Sequence, residues 1–289
     1  LRIVGKISLT VLMGIIALLM LFPILFTVSN SFMSEGEIAY NYQLIGKMID
    51  VEAGGADGFI NVKLIPDWLS FKQYSEVLIQ TPVFLHKYWN SIFIVVPIIA
   101  GQVLVASLAA YAFAKLRFKG RDGLFLIYIM TMLMPFQVTL VPNYIIVEKL
   151  GLMNTSSALI LPGIFSAFGV FMLRQFMFHI PSSYIEAAKI DGAGHFRIFY
   201  SIIVPLIGPG IAALVVLLFV DNWNMVEQPL IFLQDTFKQP LSLYLSRINE
   251  GARGVAFAAS ALYMAPMVLL YLYAESYFVE GIQLSGIKG

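Results

Sequence analysis

The sequence predicts an all-α membrane protein with six transmembrane helices and both termini on the inner side. Three observations lead there. The 289 residues are 59% hydrophobic and only 12% charged, whereas soluble domains average about 25% charged. The apolar residues gather into six runs of about 20 or more, each long enough to cross a hydrocarbon layer of ~30 Å. Basic residues flank the runs on alternate sides: Arg2 and Lys6; Lys115, Arg117, Lys119 and Arg121; and Arg174, Lys189 and Arg197. Such clusters mark the inner face, and the lysines of a long outer loop weigh little against them. The runs are continuous rather than alternating, which excludes a β-barrel.

The first run is Ile7 to Val28. It exceeds the core of a secretory signal, and Val28 to Phe32 offers no small-residue cleavage site, so it reads as a retained span. Its Pro23 is a tolerated kink. Residues 33–88 form an outer loop. Gly54 to Gly58 is a turn-rich break, and Trp68 to Leu78 reads as an amphipathic helix with Ser70 as N-cap. The second span, Asn90 to Ala114, sets Ala106, Ala110 and Ala114 on one face, where small residues allow close helix packing.

The third span, Leu124 to Val147, holds Pro135 and Gln137. The fourth is Ser157 to Phe178. The fifth, Leu206 to Met225, includes Gly208-Pro209-Gly210 near its start. The sixth, Val255 to Phe278, places Ala252, Ala256 and Ser260 on one face. The expected divisions are a first helix at 1–32, the outer loop 33–88, a five-helix core 89–281 and an inner tail 282–289.

Several chemistries are excluded. With no cysteine, disulfides, zinc-thiolate sites and thiol nucleophiles are ruled out. His86, His179 and His195 form no ligand motif. No G-x-x-x-x-G-K-[ST] string exists for nucleotide binding, and no basic block suggests nucleic acid. Ser182, His179 and Asp191 are triad residue types without an oxyanion hole or an exposed nucleophile.

A polar island interrupts the apolar chain between Pro181 and Pro205. Ser183 and Glu186 fit a capping box. Asp191-Gly192 then ends the helix, with Gly192 able to take positive φ. Ala187 and Ala188 leave room for another surface. On residue chemistry alone the island is either a docking helix for a partner groove or a plain interfacial helix.

The string from Glu186-Ala187-Ala188 through Gly192 to Ile202, Val204 and Pro205 resembles the EAA signature of ABC importer permeases, E-A-A-x3-G-x9-I-x-L-P. Val204 in the leucine position is the only departure. The stretches Tyr111 to Gly120, Met134 to Pro142, Leu150 to Thr155, Phe171 to Phe176, Asp221 to Asn224 and Tyr277 to Ile282 are similar to the maltose-type second permease subunit. The likeness runs from about 90 to 289 and is poor over 33–75.

The resemblance implies an inner-membrane subunit of a prokaryotic carbohydrate importer. Its expected partners are a second permease forming a heterodimer, two ATP-binding subunits that carry ATP and magnesium, an extracytoplasmic solute-binding protein and membrane lipid. No cofactor is expected in this chain. Ser183, Glu186, Ala187, Ala188, Asp191, Gly192, Ile202 and Pro205, within a coupling helix at about 182–204, would meet the ATPase. Gln137, Asn143, Asn222, Trp223 and Asn224 are candidates for the translocation pathway, since polar groups facing lipid are costly. For Trp223 an interfacial anchor is the alternative. Arg247, Glu250, Gly251, Arg253 and Gly254 would contact the binding protein. Competing expectations are an ABC permease for a polyol, phosphodiester or charged oligosaccharide, and an ion-coupled secondary transporter. The latter needs membrane-embedded carboxylates, and only Asp221, Glu275 and Glu280 come near the spans.

Overall fold

A computed structural model describes residues 2–42, 61–247 and 253–286, with side chains placed for 6–42, 61–247 and 253–275. Gly54 to Gly58, Glu250, Gly251 and Ala252 lie outside the described residues. Among those described, all regular structure is helical. In chain order the helices are α1 (Arg2–Asn30), α2 (Glu35–Asn41), α3 (Lys72–Ser75), α4 (Pro82–Lys115), α5 (Arg121–Met132), α6 (Phe136–Lys149), α7 (Ser157–Ile164) and α8 (Ala167–Phe178). They continue with α9 (Ser182–Ile190), α10 (His195–Ile198), α11 (Val204–Leu206), α12 (Gly208–Trp223), α13 (Glu227–Phe232), α14 (Leu241–Leu245) and α15 (Arg253–Gly286).

Four helical segments are long and apolar enough to cross a membrane: Lys6–Asn30, Pro82–Lys115, Ser157–Phe178 and Arg253–Glu275. Two bent pairs bring the number to six if each pair is one span. The α5–α6 pair bends by 99° and the α10–α12 segment by 74°. The expected third span is therefore not one straight helix. Pro135, at φ −58° and ψ 140°, is extended and starts α6 afresh, because its ring and missing N–H cannot continue α5. The helix of the fifth span begins at Gly208 and ends at Trp223.

The chain packs as two compact units. One draws on the described residues up to His86 and on Tyr244–Pro266; the other on Lys87–Leu243 and the residues from Met267 onward.

In the first unit, Met33, Ile38 and Tyr42 are buried together, with Phe26 and Phe257 against them. Tyr42 donates to Asn30 Oδ1 at 2.7 Å. The expected helix at 68–78 starts later than Ser70 suggests: Phe71 is the N-cap of α3. Ser70 Oγ instead donates to Gln73 Oε1 at 3.1 Å and accepts the Lys72 N–H at 3.4 Å. On α15 the fully buried alanines are Ala258 and Ala259; Ala256 and Ser260 are only half-buried.

In the second unit, Ala106 and Ala110 are buried as the small-residue face predicts. They meet α8, where a Cβ placed on Gly169 would lie 3.0 Å from the Ala106 Cβ. Helices α4 and α8 thus approach with little room between their backbones. Ala106, Ala110, Val170, Leu173, Met177, Leu214 and Leu218 share one apolar core with the base of the island.

Candidate functional site

The island folds as α9, a tight turn, α10, a wide π-helical stretch at Phe199–Ile203, and α11. Its two faces differ in kind. Ile185 and Ala188 are buried and join the core of α4, α8 and α12. Ser183, Glu186, Ala187 and Ile190 are exposed. Their spacing of i, i+3, i+4 and i+7 puts them in one stripe, opposite the buried pair. Ala188, expected to face a partner, faces its own chain. Ile190 was not singled out from sequence, yet it is 87% exposed. It lies one helical turn from Glu186, and that spacing is the signal that could have found it. Phe196 and Tyr200 add exposed aromatic surface beyond the turn.

The C-terminal end of α9 is a complete Schellman motif. Gly192 has φ +78°. Its N–H donates to Lys189 O at 3.0 Å, and the Ala193 N–H donates to Ala188 O at 2.9 Å. Asp191 is the C-cap residue, as expected from sequence. No atom lies within 4 Å of a Cβ placed on Gly192, so backbone conformation is what requires glycine within this chain.

The N-terminal end differs from expectation. The capping box of Ser183 and Glu186 is not formed. Pro181 is the N-cap, no side chain caps the helix, and Ser182 and Ser183 are already helical. Ile185 and Ala188 of this earlier-starting helix lie on the core. Glu186 is thereby left without a hydrogen bond or ion pair among the described residues.

The island is anchored to the end of α4. Lys115 Nζ donates to Ile180 O at 2.5 Å, just before Pro181. Tyr111 hydroxyl and His195 Nδ1 are 3.2 Å apart, and the Tyr111 and Phe199 rings are 5.4 Å apart. Ile198, Ile203 and Ile207 are fully buried, while Ile202 packs partly buried against the same core and Pro205 is exposed. An open cavity of about 700 Å³ lies between α9 and the basic end of α4, walled in part by Arg117, Arg121, Glu186 and Lys189.

A second cavity, of about 660 Å³, collects three of the pathway candidates: Gln137, Asn222 and Asn224. Phe136, Asp221, Glu227 and Gln228 also line it. Asn222 Nδ2 donates to Leu218 O at 2.8 Å, which leaves its carbonyl oxygen and its second amide N–H for a ligand. Asn143 is not in this lining. Trp223 is neither an interfacial anchor nor a cavity face. It is 1% exposed, stacked on Phe219 at 5.0 Å and edge-on to Tyr88 at 5.5 Å.

Two of the expected binding-protein contacts, Arg253 and Gly254, are engaged within their own unit. Arg253 Nη1 donates to Tyr42 O. Gly254 is buried against Gln73 and Ile38. Arg247 is exposed.

Candidate membrane spans with a polar helix anchored between two of them define an all-helical, multi-pass membrane protein. Residues 102–282 match the family described as binding-protein-dependent transport system inner membrane component, and the chain belongs to that family. It is a multi-pass inner-membrane permease subunit of an ABC importer, a transport component and not an enzyme.

Among its relatives, an arabinooligosaccharides transport system permease protein of Halalkalibacterium halodurans is 29% identical, over 97% of this chain and 96% of that one. A lactose transport system permease protein of Rhizobium radiobacter is 33% identical over 70% and 74%. An sn-glycerol-3-phosphate transport system permease protein of Brucella abortus is 31% identical over 67% and 71%. A chain of a solved bacterial ABC transporter involved in the import of the acidic polysaccharide alginate superposes with a TM-score of 0.78 at 26% identity, covering 96% of this chain and 97% of that one.

Proposed function

We propose that this chain forms half of a saccharide pathway and is driven through α9 by an ATP-binding subunit. The observation that carries the coupling role is the exposed stripe of Ser183, Glu186, Ala187 and Ile190 on a helix whose other face is fixed. A free carboxylate flanked by a small residue and an apolar one suits a partner groove with a basic group and an apolar wall. Force on α9 passes into the spans through buried Ile185 and Ala188 and through the Lys115–Ile180 bond. The island, the basic end of α4 and the C-terminus face the cytoplasm in this reading. The further partners are a second, different permease, two ATPase subunits carrying ATP and magnesium, and a solute-binding protein.

The cavity of Gln137, Asn222 and Asn224 supports a saccharide as solute. Amides and carboxylates suit hydroxyl groups, and Phe136 offers a ring for a sugar C–H face. Asp221 and Glu227 place two carboxylates there, and no basic residue is among the described residues that line the cavity. This favours a neutral saccharide over a phosphodiester or an acidic polysaccharide. The names of the arabinooligosaccharide and lactose relatives agree with that choice.

The test is reconstitution with the partner subunits in proteoliposomes. Saccharide uptake that requires ATP and is lost in Glu186→Lys supports both parts of the reading. Uptake by the lone chain refutes the coupling role. Uptake restricted to non-saccharide solutes refutes the substrate class.

A further inference from the structure

Residues 61–71 carry an apolar surface that the transport pathway does not use. Val62, Leu64, Ile65, Trp68, Leu69 and Phe71 are all exposed, Ile65 at 78% and Trp68 at 83%. Single exposed apolar residues are ordinary, but so many within one short segment mark a surface that meets lipid or protein.

The segment is strapped to the end of α1. Ser29 Oγ donates to Leu64 O, and Asn30 Nδ2 donates to Lys63 O at 3.4 Å. The Ser70 N–H donates to Phe32 O at 2.8 Å. The Phe71 ring meets Phe32 edge-on at 5.6 Å. Lys63, the cation of the segment, is paired with Glu37 at 2.9 Å and with Asp67 at 2.5 Å. Its charge is therefore met within the protein and does not hold the segment in bulk water.

The strap sets a depth. At 1.5 Å per residue, the apolar run from Ile7 to Val28 is about 33 Å long, slightly more than the ~30 Å hydrocarbon layer. Ser29 and Asn30 then fall at the headgroup boundary, and the segment bonded to them lies at that level. Tryptophan is enriched there because its ring is apolar while its N–H still finds polar partners.

We propose that residues 62–71 form an interfacial anchor, with Ile65, Trp68 and Leu69 inserted at the headgroup–acyl boundary of the leaflet where α1 ends. Phospholipid is the committed occupant because the segment continues the apolar, exposed surface of α1 at the level of its end. The anchor fixes the height of α1 and holds the start of the outer loop against the membrane.

The chain has no cysteine, so Ile65→Cys and Leu69→Cys each offer one thiol for an environment-sensitive fluorophore. The assembled transporter is labelled in proteoliposomes, the unsubstituted complex gives the background, and Glu35→Cys is the water-exposed control. Lipids bearing a nitroxide near the headgroup should remove most of the emission at 65 and 69, deep-chain nitroxides less, and aqueous iodide little. Glu35→Cys should show the reverse order. Strong iodide quenching without lipid quenching, or protection from both by covering protein, overturns the proposal. A measurement without labels covers misfolding of the cysteine variants. Brominated lipids should quench a component of the tryptophan emission that disappears in Trp68→Phe; equal quenching of both proteins also overturns it.

Discussion

Replacing Gly192 by alanine tests whether backbone conformation at one residue holds α9, the proposed coupling helix, in shape. Gly192 sits at φ +78°, where an L side chain costs about 1–2 kcal/mol. A Cβ there meets nothing within 4 Å in this chain, so no packing penalty adds to that cost. Escaping the strain means leaving the left-handed region and losing the Gly192–Lys189 and Ala193–Ala188 bonds, each with a net worth of about 1 kcal/mol. Either route costs about 1–2 kcal/mol, a factor of roughly 5–30 in the population of the ordered end of α9. Such a short helix has little stability of its own to absorb the loss.

The assay is ATPase stimulation by the loaded binding protein in proteoliposomes, read beside global thermal unfolding. Gly192→Ala should lower stimulation with little change in the unfolding midpoint. Gly192→Asn should restore much of it, because asparagine tolerates positive φ better than other side chains. If asparagine is as damaging as alanine or worse, the glycine is needed for clearance against the partner and the conformational argument fails. If alanine has no effect, the Schellman end is not what holds α9 ready to dock.

Glu186→Ala removes a carboxylate that has no partner within the described chain. Stability should stay within about 0.5 kcal/mol of the parent while co-purification with the ATPase subunit falls; a matching loss of thermal stability would reveal an in-chain role. Gly169→Val overpacks the α4–α8 contact beside Ala106 and should cost about 1–3 kcal/mol, seen as a lower unfolding midpoint in detergent. Gln137→Ala with Asn222→Ala should slow saccharide uptake and leave basal ATP hydrolysis of the assembled complex unchanged. The Lys63 ammonium is held above its ordinary range by its hydrogen bonds to Asp67 and then Glu37. Its folded value exceeds its unfolded one, so the stability it adds is fully present below about pH 10 and is lost as the pH rises through the folded value. The difference in unfolding midpoint between the parent and Lys63→Gln should therefore be constant from pH 7 to 9 and shrink only above about pH 10.

The spans were legible because each is a long apolar run, and hydropathy alone reports such runs. Their shapes were not. Pro135 announced a break in the third span, but a proline states only that the helix cannot continue. The 99° between α5 and α6 depends on packing that no local signal encodes. The Ala106 and Ala110 face was legible because small residues in register have a direct steric meaning. The fate of Trp223 could have been read from Phe219, its i, i+4 neighbour. That spacing puts two aromatic rings on one helix face, and the pair stacks and is buried instead of lining the pathway.

The island shows how a local pattern can foretell a helix and still misread its contacts. Glycine at 192 was legible because positive φ at a helix end is a local requirement. The capping box was a local pattern too, but it competed with a tertiary demand. The helix begins at Ser182 with Pro181 in the cap position, Ile185 and Ala188 are buried, and Ser183 faces outward. The same shift frees Glu186 from its own helix end. Sequence reasoning gave that carboxylate a double duty, as cap and as partner contact. With the cap removed, the proposed partner contact is the role left to test, and a defect in Glu186→Ala can be read without separating two roles.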